Sequence, residues 1–127
     1  MQNALRILLV DSRDIIHQTI ADYLSDSGHS VDRAIDGVSA LEAVINFSYD
    51  LVFTDVLTLS TNNSSLMINM LKARPTIAVI IISTYGYMRK VIELLKLGAM
   101  DYILKPVKLL ELDAVLEKSI RFNNIIV

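Results

Sequence analysis

Short apolar runs recur along the chain at nearly even spacing, and a polar residue closes most of them. Arg6 to Val10 ends at Asp11. Tyr49 to Asp55 carries Leu51 to Thr54 between two carboxylates. Ile77 to Ile82 is the most apolar run and ends at Ser83. Asp101 to Leu104 ends at Lys105-Pro106. Uninterrupted apolar runs of this length predict strands buried on both faces, as in parallel sheets. Ser30 to Ile35 alternates instead, which predicts an edge strand.

Between these runs the apolar spacing changes to a helical period. Ile16, Ile20 and Leu24 predict one helical face, with Ser12 or Asp14 as cap and Gly28 as stop. Asp36-Gly37 predicts a turn, followed by a second helix with Val38, Leu41, Val44 and Ile45 on one face. Leu57 to Ser65, rich in Ser, Thr and Asn, predicts a surface loop. Leu66, Met67, Met70 and Leu71 predict a short third helix that ends before Arg74-Pro75. Val91, Leu94 and Leu95 predict a fourth helix stopped by Gly98. Leu109, Leu112, Val115, Leu116 and Ile120 predict the last.

Strand and helix therefore alternate five times with short connections, which implies a parallel sheet covered by helices on both sides. The expected fold is α/β, a flavodoxin-like doubly wound (βα)5 arrangement with the five-stranded order 2-1-3-4-5. That order is taken from known folds of this kind rather than derived from the residues. Residues 1–127 suit a single domain. Hydrophobic residues make up 53% and charged residues 20%, so a substantial core is expected. A net charge of -2 gives no footprint for nucleic acid or anionic lipid. The absence of cysteine excludes disulfides and thiolate metal sites. No apolar run approaches the roughly 20 residues that span a bilayer and no signal-peptide pattern opens the chain, so a cytoplasmic location is expected.

The closing residues carry the candidate chemistry. In this strand order Asp11 and Asp55 end adjacent strands, and the next two strands end in Ser83 and Lys105. Each alone has an ordinary explanation: a cap or turn for the aspartates, structure for the serine, a solvated charge for the lysine. Together on one rim they suit phosphoryl transfer to a carboxylate. Asp55 is the candidate nucleophile, two carboxylates attract a hard divalent cation such as Mg²⁺, and Lys105 and Ser83 face the transferring group. His17 and His29 are read as a helix-surface residue and a turn residue, and give no metal pair.

Four stretches resemble the receiver domain of two-component response regulators: Ile7-Leu-Leu-Val-Asp11, Asp50-Leu-Val-Phe-Thr-Asp55, Ile80-Ile-Ile-Ser-Thr-Tyr-Gly86 and Leu97-Gly-Ala-Met-Asp-Tyr-Ile-Leu-Lys-Pro106. The resemblance covers essentially the whole chain. It implies a signalling module rather than an enzyme, phosphorylated on Asp55 by a sensor histidine kinase or phosphotransfer protein. Ser83 becomes the switch hydroxyl, Tyr102 the switch aromatic and Lys105 the family's lysine, with Lys105-Pro106 in the cis form. Mg²⁺ is expected on Asp11, Asp55 and the Leu57 backbone carbonyl. The face of the fourth helix, fifth strand and fifth helix would then meet partners, with homodimerisation one option and Arg89, Lys90, Glu93 and Lys96 available for polar contacts. Read without the resemblance, Tyr102 is a packing residue with its hydroxyl in water.

Departures from the family pattern set further expectations. Ser12 stands where a second metal-binding acid is usual, which predicts weakened Mg²⁺ affinity; Asp14 is nearby but better placed as a cap. Leu59 and Asn63 replace the usual proline and glycine of the loop after Asp55, which predicts a less constrained loop. Leu57 and Tyr85 occupy the positions that tune hydrolysis of the aspartyl-phosphate, and both are shielding residues, so slow dephosphorylation is expected. Thr84 replaces a small apolar residue, with no assigned effect. The alternative reading is a phosphorylation-independent pseudo-receiver acting as an interaction module. A nucleotide- or flavin-binding relative fits poorly, because Asp11-Ser-Arg-Asp14 has no glycine and carries acids where a phosphate needs free amides.

Overall fold

The computed structural model describes residues 4–10, 15–56 and 63–126. Its elements run β1 (Arg6–Val10), α1 (Ile15–Asp26), β2 (Ser30–Ala34), α2 (Gly37–Asn46), β3 (Leu51–Asp55), α3 (Asn63–Ala73), β4 (Ala78–Ser83), α4 (Met88–Leu97), β5 (Asp101–Leu104) and α5 (Leu109–Ile126). The strands form one parallel sheet in the order β2-β1-β3-β4-β5, as expected.

The strand pleat divides the core into two layers, because successive side chains point to opposite faces. Leu8, Val10, Val52, Val79 and Ile81 share one cluster with Ala40 and Val44 of α2, Met67 and Met70 of α3, and Val91 and Leu94 of α4. Ile7, Leu9, Leu51, Phe53, Ile80 and Ile82 share the other with Ile20 and Leu24 of α1 and Leu112, Val115 and Leu116 of α5. Both faces of β1, β3 and β4 are thus covered, which explains their continuous apolar sequence. β2 lies at an edge and exposes Asp32 and Arg33, the cause of its alternation.

Glycine ends two helices as the sequence predicted. Gly28 follows α1 with φ of 96°, and Gly98 follows α4 with φ of 126°. The positive φ at Gly98 favours glycine, and a Cβ there would in addition push on Leu71 Cδ1, 2.8 Å away.

Several expectations are corrected. Val38 and Ile45 do not belong to the buried face of α2: they are 76% and 54% exposed, and Ala40 and Val44 make the contact. Ala40, Leu41 and Val44 lie together on the side of the helix that meets the core, and Val38 and Ile45 fall outside that face. Leu109 is likewise 49% exposed at the start of α5, outside the Leu112–Val115–Leu116 face. Asn63 to Ser65 belong to α3 rather than to the preceding loop. Residues 57–62, including Leu59, lie outside the described residues, as do the Ser12 and Asp14 cap candidates. A 3₁₀ turn at Tyr85–Tyr87, not anticipated, leads into α4. Asp36 does more than turn: its side chain accepts the Ser39 amide at 2.8 Å in a reciprocal cap of α2.

His29 is more than a turn residue. Its Nδ1 accepts the Leu5 amide at 3.0 Å, while the Ser30 amide donates to the Leu5 carbonyl at 2.9 Å. The α1–β2 turn therefore grips the start of β1 from both sides. Burial holds the His29 pKa below its usual value. The folded chain thus favours neutral imidazole, and the unfolded chain takes up the proton first as pH falls. The stability contribution is complete above the ordinary histidine range, near pH 6.5, and fades as pH drops through the lowered folded value. His29→Ala should cost about 1 kcal/mol at neutral pH, the value of one hydrogen bond, and should flatten the stability profile just below pH 6.5. Urea titrations of both proteins across that range measure this; parallel profiles would show that His29 contributes no pH dependence.

Candidate functional site

Three strands deliver the candidate groups to the carboxyl edge of the sheet. Asp55 is the last residue of β3 and lies opposite Ile82 of β4. The next amide, Val56 N, donates to the Ile82 carbonyl at 3.0 Å, which anchors the backbone on that side of Asp55. Ser83 closes β4. Lys105 follows β5, and its amide donates to the Ser83 carbonyl at 2.7 Å. The backbone ladder thus ties the ends of β3, β4 and β5 together.

Across this rim Lys105 Nζ lies 2.8 Å from Asp55 Oδ2. The two side chains are only 19% and 13% exposed. A charged pair this sheltered is costly to desolvate and is held in place by its mutual attraction. Lys105-Pro106 is cis. The ion pair holds the ammonium beside a carboxylate that sits just inside the surface, where an incoming anionic group would meet both.

Ser83 reaches the rim with its hydroxyl already engaged. The residue is 1% exposed, and its Oγ donates to the Thr84 carbonyl at 3.0 Å. Tyr102 lies opposite Ile81 in the β4–β5 register, half-buried against the cluster that contains Ile81, Val91 and Leu94. Tyr85, beside this rim, is 79% exposed. Asp11, Ser12 and Leu57 lie outside the described residues. The described part of the β1–β3 register sets Val10 opposite Thr54, and Asp11 follows Val10 in sequence.

The donor chemistry suits a hard cation. Asp55 offers carboxylate oxygen, Asp11 and the Leu57 carbonyl are the further oxygen candidates, and no thiolate competes in a chain without cysteine. A Mg²⁺ ion fits such a set. The sequence pointed to Asp55, Ser83 and Lys105 because each closes an apolar run. It gave no sign of Asp101, whose carboxylate bridges the Tyr102 amide and the Lys118 ammonium, because that contact joins β5 to α5 across 17 positions.

A doubly wound parallel sheet with an aspartate–lysine pair at its carboxyl rim is the frame of a flavodoxin-like domain with its polar groups gathered at one end. Residues 7–117 match the family model of the response regulator receiver domain, and the chain belongs to that family. It is 36% identical over 121 residues to the transcriptional regulatory protein ZraR of Escherichia coli O157:H7, covering 94% of this chain and 27% of that protein. It is 31% identical over 122 residues to the transcriptional regulatory protein DltR of Streptococcus agalactiae serotype III (strain NEM316), covering 96% of this chain and 54% of that one. The chain thus spans between about a quarter and about half of these relatives. A receiver domain from Clostridium thermocellum superposes with a TM-score of 0.87 at 27% identity, covering 97% of this chain and 99% of that one. NtrX from Brucella abortus superposes at 0.86 with 31% identity, covering 96% of this chain and 28% of that one.

Receiver domains are signalling modules of two-component systems rather than typical enzymes. They serve phosphorelay signalling with sensor kinases or phosphotransfer proteins and commonly bind Mg²⁺. Among the described residues no helix is long and apolar enough to cross a membrane.

Proposed function

We propose that residues 1–127 form one receiver domain that accepts a phosphoryl group on Asp55 from a phosphohistidine of a sensor kinase or phosphotransfer protein. The observation that carries this reading is the sheltered 2.8 Å pair of Asp55 and Lys105. An Asp55 oxygen forms the new P–O bond as the P–N bond of the donor breaks, and the bonding electron pair stays with the imidazole nitrogen. Lys105 already stands where negative charge arrives, so little reorganisation is needed. When bound, Mg²⁺ supplies positive charge that offsets charge on the transferring group. Asp11, Asp55 and the Leu57 carbonyl would hold it, with Ser12 in place of the usual second acid.

The added group brings nearly two negative charges and new acceptors. Ser83 then exchanges the Thr84 carbonyl for a phosphoryl oxygen, and the vacated space lets Tyr102 pack further inward. The face formed by α4, β5 and α5 changes as a result, and this face meets the downstream partner or a second copy of the chain.

Intact mass after incubation with a small phosphodonor, with and without Mg²⁺, tests the proposal. The expected result is a gain of one phosphoryl group that needs Mg²⁺ and is absent in Asp55→Asn. Ser12→Asp should tighten Mg²⁺ by roughly tenfold or more, since even an outer-shell partner is worth that much; an unchanged titration would remove Ser12 from the metal site. No phosphoryl gain at any Mg²⁺ concentration, even in Ser12→Asp, would favour the alternative reading, a phosphorylation-independent interaction module, which the neutral residue at position 12 supports.

A further inference from the structure

β5 is an edge strand, so alternate amides along it face open solvent rather than β4. The Lys105 amide turns inward to the Ser83 carbonyl, which places the Tyr102 amide, three residues earlier, on the open side. That amide is not left to water. Asp101 Oδ1 accepts it at 2.8 Å, and Asp101 Oδ2 accepts Lys118 Nζ of α5 at 3.1 Å. One carboxylate therefore spans the backbone of Tyr102 and the side of α5. The pairing is partly exposed, with Asp101 at 28% and Lys118 at 53%, so its Coulombic contribution to overall stability is small. Its effect is local: it fixes the peptide unit from which the Tyr102 ring is presented.

We propose that Asp101 is a positioning residue for Tyr102, and that Asp101 and Lys118 together latch β5 to α5 in the unphosphorylated chain. This rests on the reading of Tyr102 as the moving aromatic of the switch. With the latch closed, the backbone of Tyr102 is held and its ring keeps one half-buried position. With the latch open, that peptide unit is free to rotate and the ring samples both positions before any phosphoryl group arrives. The latch thus sets how much of the α4–β5–α5 face is already in its altered form at rest. The same carboxylate occupies the open edge of β5, which also keeps another strand from pairing there.

The test uses the unphosphorylated chain first. Nuclear magnetic resonance reads hydrogen exchange at the Tyr102 amide and the ring signals of Tyr102, with Tyr49, whose hydroxyl donates to Asp32 at the β2 edge, as an internal reference. Asp101→Ala should speed Tyr102 amide exchange about tenfold, the loss expected for one hydrogen bond to a charged acceptor, and should shift the ring signals. Asp101→Asn keeps an acceptor oxygen and drops the charge, so it should have a smaller effect on the amide. Lys118→Met removes only the pair and should move the ring signals with little change at the amide. The phosphodonor is then added: in Asp101→Ala the further change at Tyr102 should be smaller than in the parent. A variant that only lost stability would melt earlier with the ring signals in place, and that result, or an unchanged Tyr102 amide, overturns the proposal. If the ring and amide respond while the parent gains no phosphoryl group, the positioning role stands and the phosphorelay reading fails.

Discussion

Replacing Lys105 by methionine should slow phosphoryl gain at Asp55 by about 10²–10³-fold, the usual cost of removing one group that stabilises developing negative charge. The argument is geometric. Lys105 Nζ lies 2.8 Å from Asp55 Oδ2 in a pair that is largely shielded from water. Solvent competes weakly for the ammonium there, so its field acts on Asp55 and on whatever bonds to it. Methionine preserves much of the chain length and apolar contact while deleting the charge. A time course of intact mass with a small phosphodonor at saturating Mg²⁺ measures the effect. A rate close to the parent's would show that Lys105 takes no part in the transfer.

Phe53→Ala should lower stability by about 3–5 kcal/mol, a large share of the 5–15 kcal/mol typical of a folded domain. Phe53 is fully buried on β3, the central strand, in the layer covered by α1 and α5. Removing the ring forfeits its transfer free energy and leaves a cavity that strands fixed on both sides cannot close. Leu110→Ala is the control: Leu110 is 83% exposed and should change stability by no more than about 0.5 kcal/mol. Urea unfolding of both variants, read as a shift in midpoint at constant slope, measures the difference. A loss below about 1 kcal/mol for Phe53→Ala would mean that the core relaxes around the gap.

The strands were legible because parallel strands covered on both faces need continuous apolar sequence. Arg6–Val10 and Asp101–Leu104 were read at their observed ends. The rim residues were legible for a related reason: a charged or hydroxyl residue that ends such a run cannot be explained by the core. The face of α2 was misread because Gly37–Asn46 carries apolar residues on more than one side. A 3.6-residue period accommodates Val38 and Ile45 as well as Ala40 and Val44, and only packing against the sheet distinguishes them.

By itself, the sequence determined the alternation of strands and helices, the parallel sheet and the candidates Asp55, Ser83 and Lys105, all of which follow from local periodicity and its interruptions. Tertiary structure alone decided the distance from Lys105 to Asp55, the hydrogen bond of the Ser83 hydroxyl, the grip of His29 on Leu5 and the Asp101–Lys118 ion pair. These contacts join residues that are far apart along the chain, or choose between rotamers that local sequence leaves equal. Hydrophobic pattern specifies the type and order of the elements, and where it is apolar on more than one side, as in α2, packing chooses the buried face. Which polar atoms then meet is set by strand order and register, and those exist only once the sheet has formed.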